Sequence, residues 1–145
     1  MDYLTGTVMS SNLISISEDR DIETADGVMR VNKIRHLPVV NSNNELSGII
    51  STKDVAAAPD RRKLIKSIMT TPVRIVKKTA NVKAVIEIML KHKICSVLVA
   101  NEEDVVGIIT TDDLLKLLAK VIESSERLEN VDVSSFFDDS WSSHI

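Results

Sequence analysis

Gly48-Ile49-Ile50-Ser51-Thr52-Lys53-Asp54 returns 59 residues later as Gly107-Ile108-Ile109-Thr110-Thr111-Asp112-Asp113. Each is an apolar run opened by glycine, closed by a hydroxyl residue, with an acid three positions on. Upstream of these stretches the match continues at an offset of 60. Met9-Ser10-Ser11 falls on Met69-Thr70-Thr71, Met29 on Met89, Lys33-Ile34 on Lys93-Ile94, and Val39 on Val99. The one lost residue lies between the apolar runs 37–40 and 46–50, where Asn41-Ser42-Asn43-Asn44 has a turn composition. A length change is cheap in a turn, whereas inside a strand it would send every side chain to the wrong face. The chain is therefore two copies of one unit.

Both copies predict the same elements. Short β stretches are expected at 13–16 and 73–76. A first helix follows. In copy two, Val82, Val85, Ile86, Met89 and Leu90 recur at helical spacing behind the N-cap candidate Asn81. In copy one the stripe is weaker, Ile22, Ala25, Val28 and Met29, and Gly27 costs about 1 kcal/mol there. Two apolar runs then form a hairpin, 37–40 with 46–50 and 97–100 with 105–109. A second helix starts near each acid. The first stops before Pro59. The last carries Leu114, Leu115, Leu117, Leu118, Val121 and Ile122 and is expected to reach about Leu128. Its leucines cover more than one face, which predicts packing on another subunit as well as on its own copy.

A unit of this size buries too little surface to be secure alone. The expected fold is α/β (α+β): two tandem β-α-β-β-α units, 1–60 and 61–123, packed sheet to sheet with pseudo-two-fold symmetry and joined through Arg61-Arg62-Lys63. Residues 124–145 form an acidic, aromatic-containing tail. The aromatic residues are Tyr3, Phe136, Phe137 and Trp141, so the body builds its core from aliphatic side chains.

Composition excludes several classes. With 43% hydrophobic and 27% charged residues the chain is globular rather than disordered. A net charge of −3 gives no field to draw in nucleic acid. No apolar run approaches the roughly 20 residues of a membrane span. Met1-Asp2-Tyr3-Leu4 lacks the basic, apolar start of a signal peptide, so the expectation is a cytoplasmic protein. With one cysteine, Cys95, there is neither an internal disulfide nor a cysteine metal cluster. There is no Walker loop and no G-x-S-x-G. His36, His92 and His144 lack metal-ligand spacing, and the reading is that of a non-enzyme without a cofactor.

The repeated order of apolar strand, glycine, two isoleucines, Ser/Thr and Asp resembles the CBS domain, named after cystathionine β-synthase. Lys33-Ile34-Arg35-His36-Leu37-Pro38-Val39-Val40 and Met69-Thr70-Thr71-Pro72 are similar to that family's most distinctive stretches. The resemblance implies a Bateman module, a homodimeric disc of four units, and adenine-nucleotide binding between the copies. The implied ligands are AMP, ADP, ATP or a diadenosine polyphosphate, with S-adenosylmethionine less favoured. Binding would regulate a target expected on a separate chain. The rival reading is a ligand-independent dimerisation or interaction scaffold with vestigial clefts.

Individual residues keep two readings each. Asp54 and Asp113 can accept from a ribose diol or cap their helices. Ser51 and Thr110 can meet phosphate or ribose beside helix N–H groups, or bond the local turn. By the resemblance, Thr70 and Ser10 touch base or phosphate, while Ile94 and Ile34 line the adenine; otherwise these are turn and core residues. Arg35 matches a phosphate-binding position. Its copy-two counterpart is Cys95, so the clefts are unequal. One combines Thr70, Ile94 and Cys95 with Ser51, Asp54 and Arg35. The other combines Ser10, Ile34 and Arg35 with Thr110 and Asp113. The first is favoured because Thr70-Thr71-Pro72 fits the family opening better than Ser10-Ser11-Asn12. Lys33, Lys93, His36, His92, Arg61, Arg62 and Lys63 add positive potential or are merely solvated, and nothing in sequence activates the Cys95 thiol. The tail, with Phe136, Phe137 and Trp141, is read as a docking segment for the module or a protein target.

Overall fold

The computed structural model describes residues 3–125 and 134–136. After a short helix α1 (Thr5–Val8), the first copy runs β1 (Ile16–Ser17), α2 (Ile22–Asn32), β2 (His36–Val40), β3 (Leu46–Ser51) and α3 (Thr52–Ala57). The second runs β4 (Ile75–Lys77), α4 (Val82–His92), β5 (Ser96–Asn101), β6 (Asp104–Thr110) and α5 (Thr111–Ser124). Each copy forms a three-stranded sheet with the same topology, β1 parallel to β2 and β2 antiparallel to β3, then β4 parallel to β5 and β5 antiparallel to β6. The ladder shifts register at Val39/Val40 and again at Val99/Ala100.

The continuous apolar runs of the hairpins follow from burial on both faces. Leu37, Val39 and Ile50 face the helices of the first copy, with Ile22, Ala25, Met29 and Val55. Val97, Val99 and Ile109 do the same with Val82, Val85 and Met89. The alternate residues Ile49, Leu98 and Ile108 form a third cluster that joins the two sheets, helped by Leu13 and Val73. Full burial of each such side chain contributes roughly 1.5–3 kcal/mol.

Three expectations need adjustment. The first strands begin later than 13–16 and 73–76, at Ile16 and Ile75, because Leu13 and Val73 pack between the sheets before the chain joins a ladder. The last helix ends at Ser124 instead of Leu128. There Ser125 N–H is shared between the Val121 and Ile122 carbonyls, and the Ser124 hydroxyl donates back to the Lys120 carbonyl. Most of the proposed docking tail lies outside the described residues; Ser134–Phe136 form a single 3-10 turn.

The opening segment of each copy is seated on the other copy. Thr5 is buried on the second unit, where its N–H and Oγ1 both donate to the Ala80 carbonyl, at 2.9 and 2.8 Å. Tyr3, Val8 and Met9 join the second core, and Ser10 pairs with Ile108. In mirror fashion Ile65 is buried in the first core and Thr70 pairs with Ile49. The glycines of the repeated motif make room for this. A Cβ on Gly48 would lie 2.6 Å from Met69 Sδ and 3.1 Å from the Thr70 carbonyl; on Gly107 it would lie 2.4 Å from Met9 Sδ and 3.0 Å from the Ser10 carbonyl. Neither glycine has a positive φ, so both are there for space.

Candidate functional site

Helices α2 and α4 end in left-handed caps at Lys33 (φ 55) and Lys93 (φ 53). A lysine in this conformation costs roughly 1–2 kcal/mol. The cap turns the chain so that Ile34 N–H meets the Met29 carbonyl at 3.0 Å and Ile94 N–H meets Met89 at 3.1 Å. Residues 34–36 and 94–96 then run along two clefts between the copies. The first cleft is a cavity of about 540 Å3; the second is about 160 Å3. Small-molecule sites span roughly 300–1,000 Å3, so the first has ligand dimensions and the second does not.

Thr70, Ile94, Cys95, Ser51, Asp54 and Arg35 all line the first cleft. Ser10, Ile34, Arg35, Thr110 and Asp113 all line the second. Arg35 and His36 border both. The grouping by cleft is thus the one expected, while the chemistry of the two acids differs. Both acids close a capping box. Asp54 Oδ2 accepts from Ser51 N–H at 2.8 Å and from its hydroxyl at 3.0 Å; Asp113 Oδ2 accepts from Thr110 N–H at 2.9 Å and from Oγ1 at 3.2 Å. The other oxygen separates them. Asp113 Oδ1 accepts from the Ser10 hydroxyl at 2.9 Å, and the residue is buried. Asp54 Oδ1 has no hydrogen-bond partner among the described residues, and Asp54 is half-buried on the cavity wall. Helix capping and ligand contact are therefore compatible for Asp54, one oxygen for each, whereas both oxygens of Asp113 are engaged within the protein. The helix N–H groups beside Ser51 are partly engaged as well, Thr52 N–H with the Arg35 carbonyl and Asp54 N–H with Ser51 Oγ.

Charge separates the clefts further. Among the described residues, the first is lined by Arg35, Lys53, Arg74 and Lys93 against Asp54 alone. The second has Lys33, Arg35 and Lys116 against Asp112 and Asp113, and there Arg35 Nη2 donates to Asp112 Oδ1 at 2.5 Å. Two histidines border the first cleft. Loss of solvent holds His36 below the usual imidazole range, and the Arg35 cation adds to it. His92 is also lowered, by lost solvent and by the cations of Arg74 and Lys91; Arg74 Nη2 lies 3.2 Å from its Nδ1.

Arg74 and Lys53 escape a reading guided by motif positions. A signal exists in the repeat. Arg74 stands at the register position of Ile14, and Lys53 at that of Asp112, so charge changes where the copies otherwise match. Arg61, Arg62 and Lys63 line neither cleft. Arg61 lies near Glu23 and Asp26, and Arg62 near Asp60. Among the described residues no group of three or more His, Cys, Asp and Glu could hold a metal ion, and no helix is long and apolar enough to cross a membrane.

The family model for the CBS domain matches residues 6–61 and 65–120. A solved structure with the same fold is the CBS domain pair of protein MJ0100 in complex with 5′-methylthioadenosine and S-adenosyl-L-methionine. It is 30% identical, with a TM-score of 0.77 over 83% of this chain and 98% of that one. Among curated proteins, the inosine-5′-monophosphate dehydrogenase of Methanocaldococcus jannaschii is 33% identical over 75% of this chain and 22% of its own length. The homoserine O-acetyltransferase of Methanobrevibacter ruminantium is 30% identical over 82% of this chain and 26% of its own. The chain thus spans about a quarter of the length of these relatives.

Proposed function

Since this chain belongs to the CBS domain family as a tandem pair, we propose that it is a regulatory module whose first cleft takes an adenine nucleotide and whose second cleft stays empty of one. The observation that carries the reading is the unengaged Asp54 Oδ1 on the wall of a 540 Å3 cavity ringed by four cations. In this reading Asp54 accepts from the ribose hydroxyls. Ile94 packs on the adenine, and its carbonyl faces the base, since its N–H is already bonded to Met89. Ser51 and Thr70 offer hydroxyls to ribose or phosphate, and Arg35, Lys53, Arg74 and Lys93 neutralise the phosphates. Cys95 contributes a small wall where Arg35 stands in the other copy.

The neighbour's ligands favour a second reading, a thioadenosine without phosphate. Calorimetry with AMP, ADP, ATP, 5′-methylthioadenosine and S-adenosylmethionine separates the two. Affinity rising with phosphate number at one site per chain is expected. Tighter binding of 5′-methylthioadenosine than of every nucleotide would replace the nucleotide reading. Failure of all five would favour the ligand-independent scaffold.

The module acts as a homodimer through α5 in this proposal. Leu115, Leu118 and Ile122 are 62%, 51% and 59% exposed on that helix, an apolar face without a partner among the described residues. Light scattering should give twice the chain mass, and Leu118→Glu should return it to the monomer; a wild-type monomer at high micromolar concentration would refute the pairing. The protein target regulated by the module, and a role for residues 124–145 in reaching it, belong to the same proposal.

A further inference from the structure

Arg35 borders both clefts, yet its guanidinium is committed to one side. Nη2 donates to Asp112 Oδ1 in the second cleft, and the register partners of this pair are Cys95 and Lys53. This register position therefore supplies one guanidinium for two clefts, Arg74 standing at a different position of the first, and the acid that holds Arg35 has no equivalent in the first. The bond is a single contact, and both side chains are more than half exposed, 59% and 51%. Such a pair holds its members together by no more than about fivefold in an equilibrium constant. A phosphate offers the same guanidinium a bidentate, charge-assisted partner, which is stronger. The Arg35 backbone stays in place during any exchange, because its carbonyl accepts from Thr52 N–H at 3.0 Å.

We propose that Asp112 sets the phosphate affinity of the first cleft by storing Arg35 on the far side, and that a phosphate-bearing ligand draws the guanidinium across. The inference rests on the reading that the first cleft takes nucleotide phosphates. Storage lowers the apparent affinity by the fraction of molecules in which Arg35 is free. When Arg35 leaves, Asp112 and Asp113 remain opposite Lys33 and Lys116, so the second cleft loses its excess of positive charge as the first one fills. The exchange thus links the clefts with opposite sign: an anion in one disfavours an anion in the other.

The test is a double-mutant cycle read by calorimetry with ATP and with adenosine, on the full chain. Asp112→Asn should tighten ATP roughly two- to fivefold and leave adenosine unchanged. In an Arg35→Gln background the same substitution should give no gain. An equal gain in both backgrounds would mean that Asp112 acts only through net charge and would overturn the exchange. No gain in either would overturn it too. Wild-type protein that binds ATP with a flat cycle removes this inference alone; wild-type protein that binds neither probe removes the nucleotide reading together with it.

Discussion

The first cleft holds Arg74, Cys95 and Lys53 where the second holds Ile14, Arg35 and Asp112. The strands, caps and capping boxes around these positions are alike in both copies. Repetition has kept the frame and released the lining. The difference in cavity size follows partly from two small bonds, Ser10 to Asp113 and Arg35 to Asp112, which span the second cleft. In the first, Thr70 makes no such bond to Asp54 among the described residues, and Lys53 has no acid to hold.

The comparison can be broken first at the shared frame. Gly48→Val and Gly107→Val should each destabilise the fold by about 1–3 kcal/mol, since each pushes a side chain into a methionine and a backbone carbonyl. Urea melts of the two variants should shift alike. A large shift in one and none in the other would show that the two halves of the frame do not carry the crossed segments equally.

The acids should then part company. Asp54→Ala should weaken nucleotide binding at least tenfold by calorimetry. Asp113→Ala should leave that affinity nearly unchanged and instead lower stability by about 1–2 kcal/mol, through loss of a helix cap and of the Ser10 bond. Equal losses of affinity in both variants would contradict the inequality of the clefts.

The smallest expected effect is on pH dependence. The folded state holds His36 below its ordinary value of about 6.5, so below that pH the unfolded chain binds more protons than the folded one. Stability should therefore fall as pH drops below about 6.5, and His36→Gln should flatten that part of the curve. A thermal melt series with the same slope in both proteins would remove His36 as the cause.

Much of this was readable from residues. The shift in repeat offset located the hairpin turn, and the Ser51/Asp54 and Thr110/Asp113 spacings located the second helices. Asn81 does cap α4, by accepting from Lys83 N–H at 2.9 Å. The short first strands were harder, because Leu13 and Val73 are as apolar as strand residues while packing between sheets. The seating of Thr5 and Ile65 on opposite copies was not legible, since a repeat aligns each opening segment with its own copy and carries no mark of where it docks. Arg74 is hidden for a similar reason: a repeat marks the positions that match, and Arg74 stands at a mismatch with Ile14.

The crossed opening segments have a consequence for biosynthesis. As the chain leaves the ribosome, the first unit can close as soon as Ile65 and Thr70 emerge, because Ile65 completes its core. Tyr3, Val8 and Met9 must wait, for their seat lies on strands and helices not yet made. Ser10 meets Asp113 across 103 residues of chain. At equilibrium this distance costs little, since each doubling of a loop adds only about 0.6 kcal/mol. In time it costs more: residues translated ahead of both units are among the last of the pair to be seated, and until then their apolar side chains remain open to chaperones or to a neighbouring nascent chain.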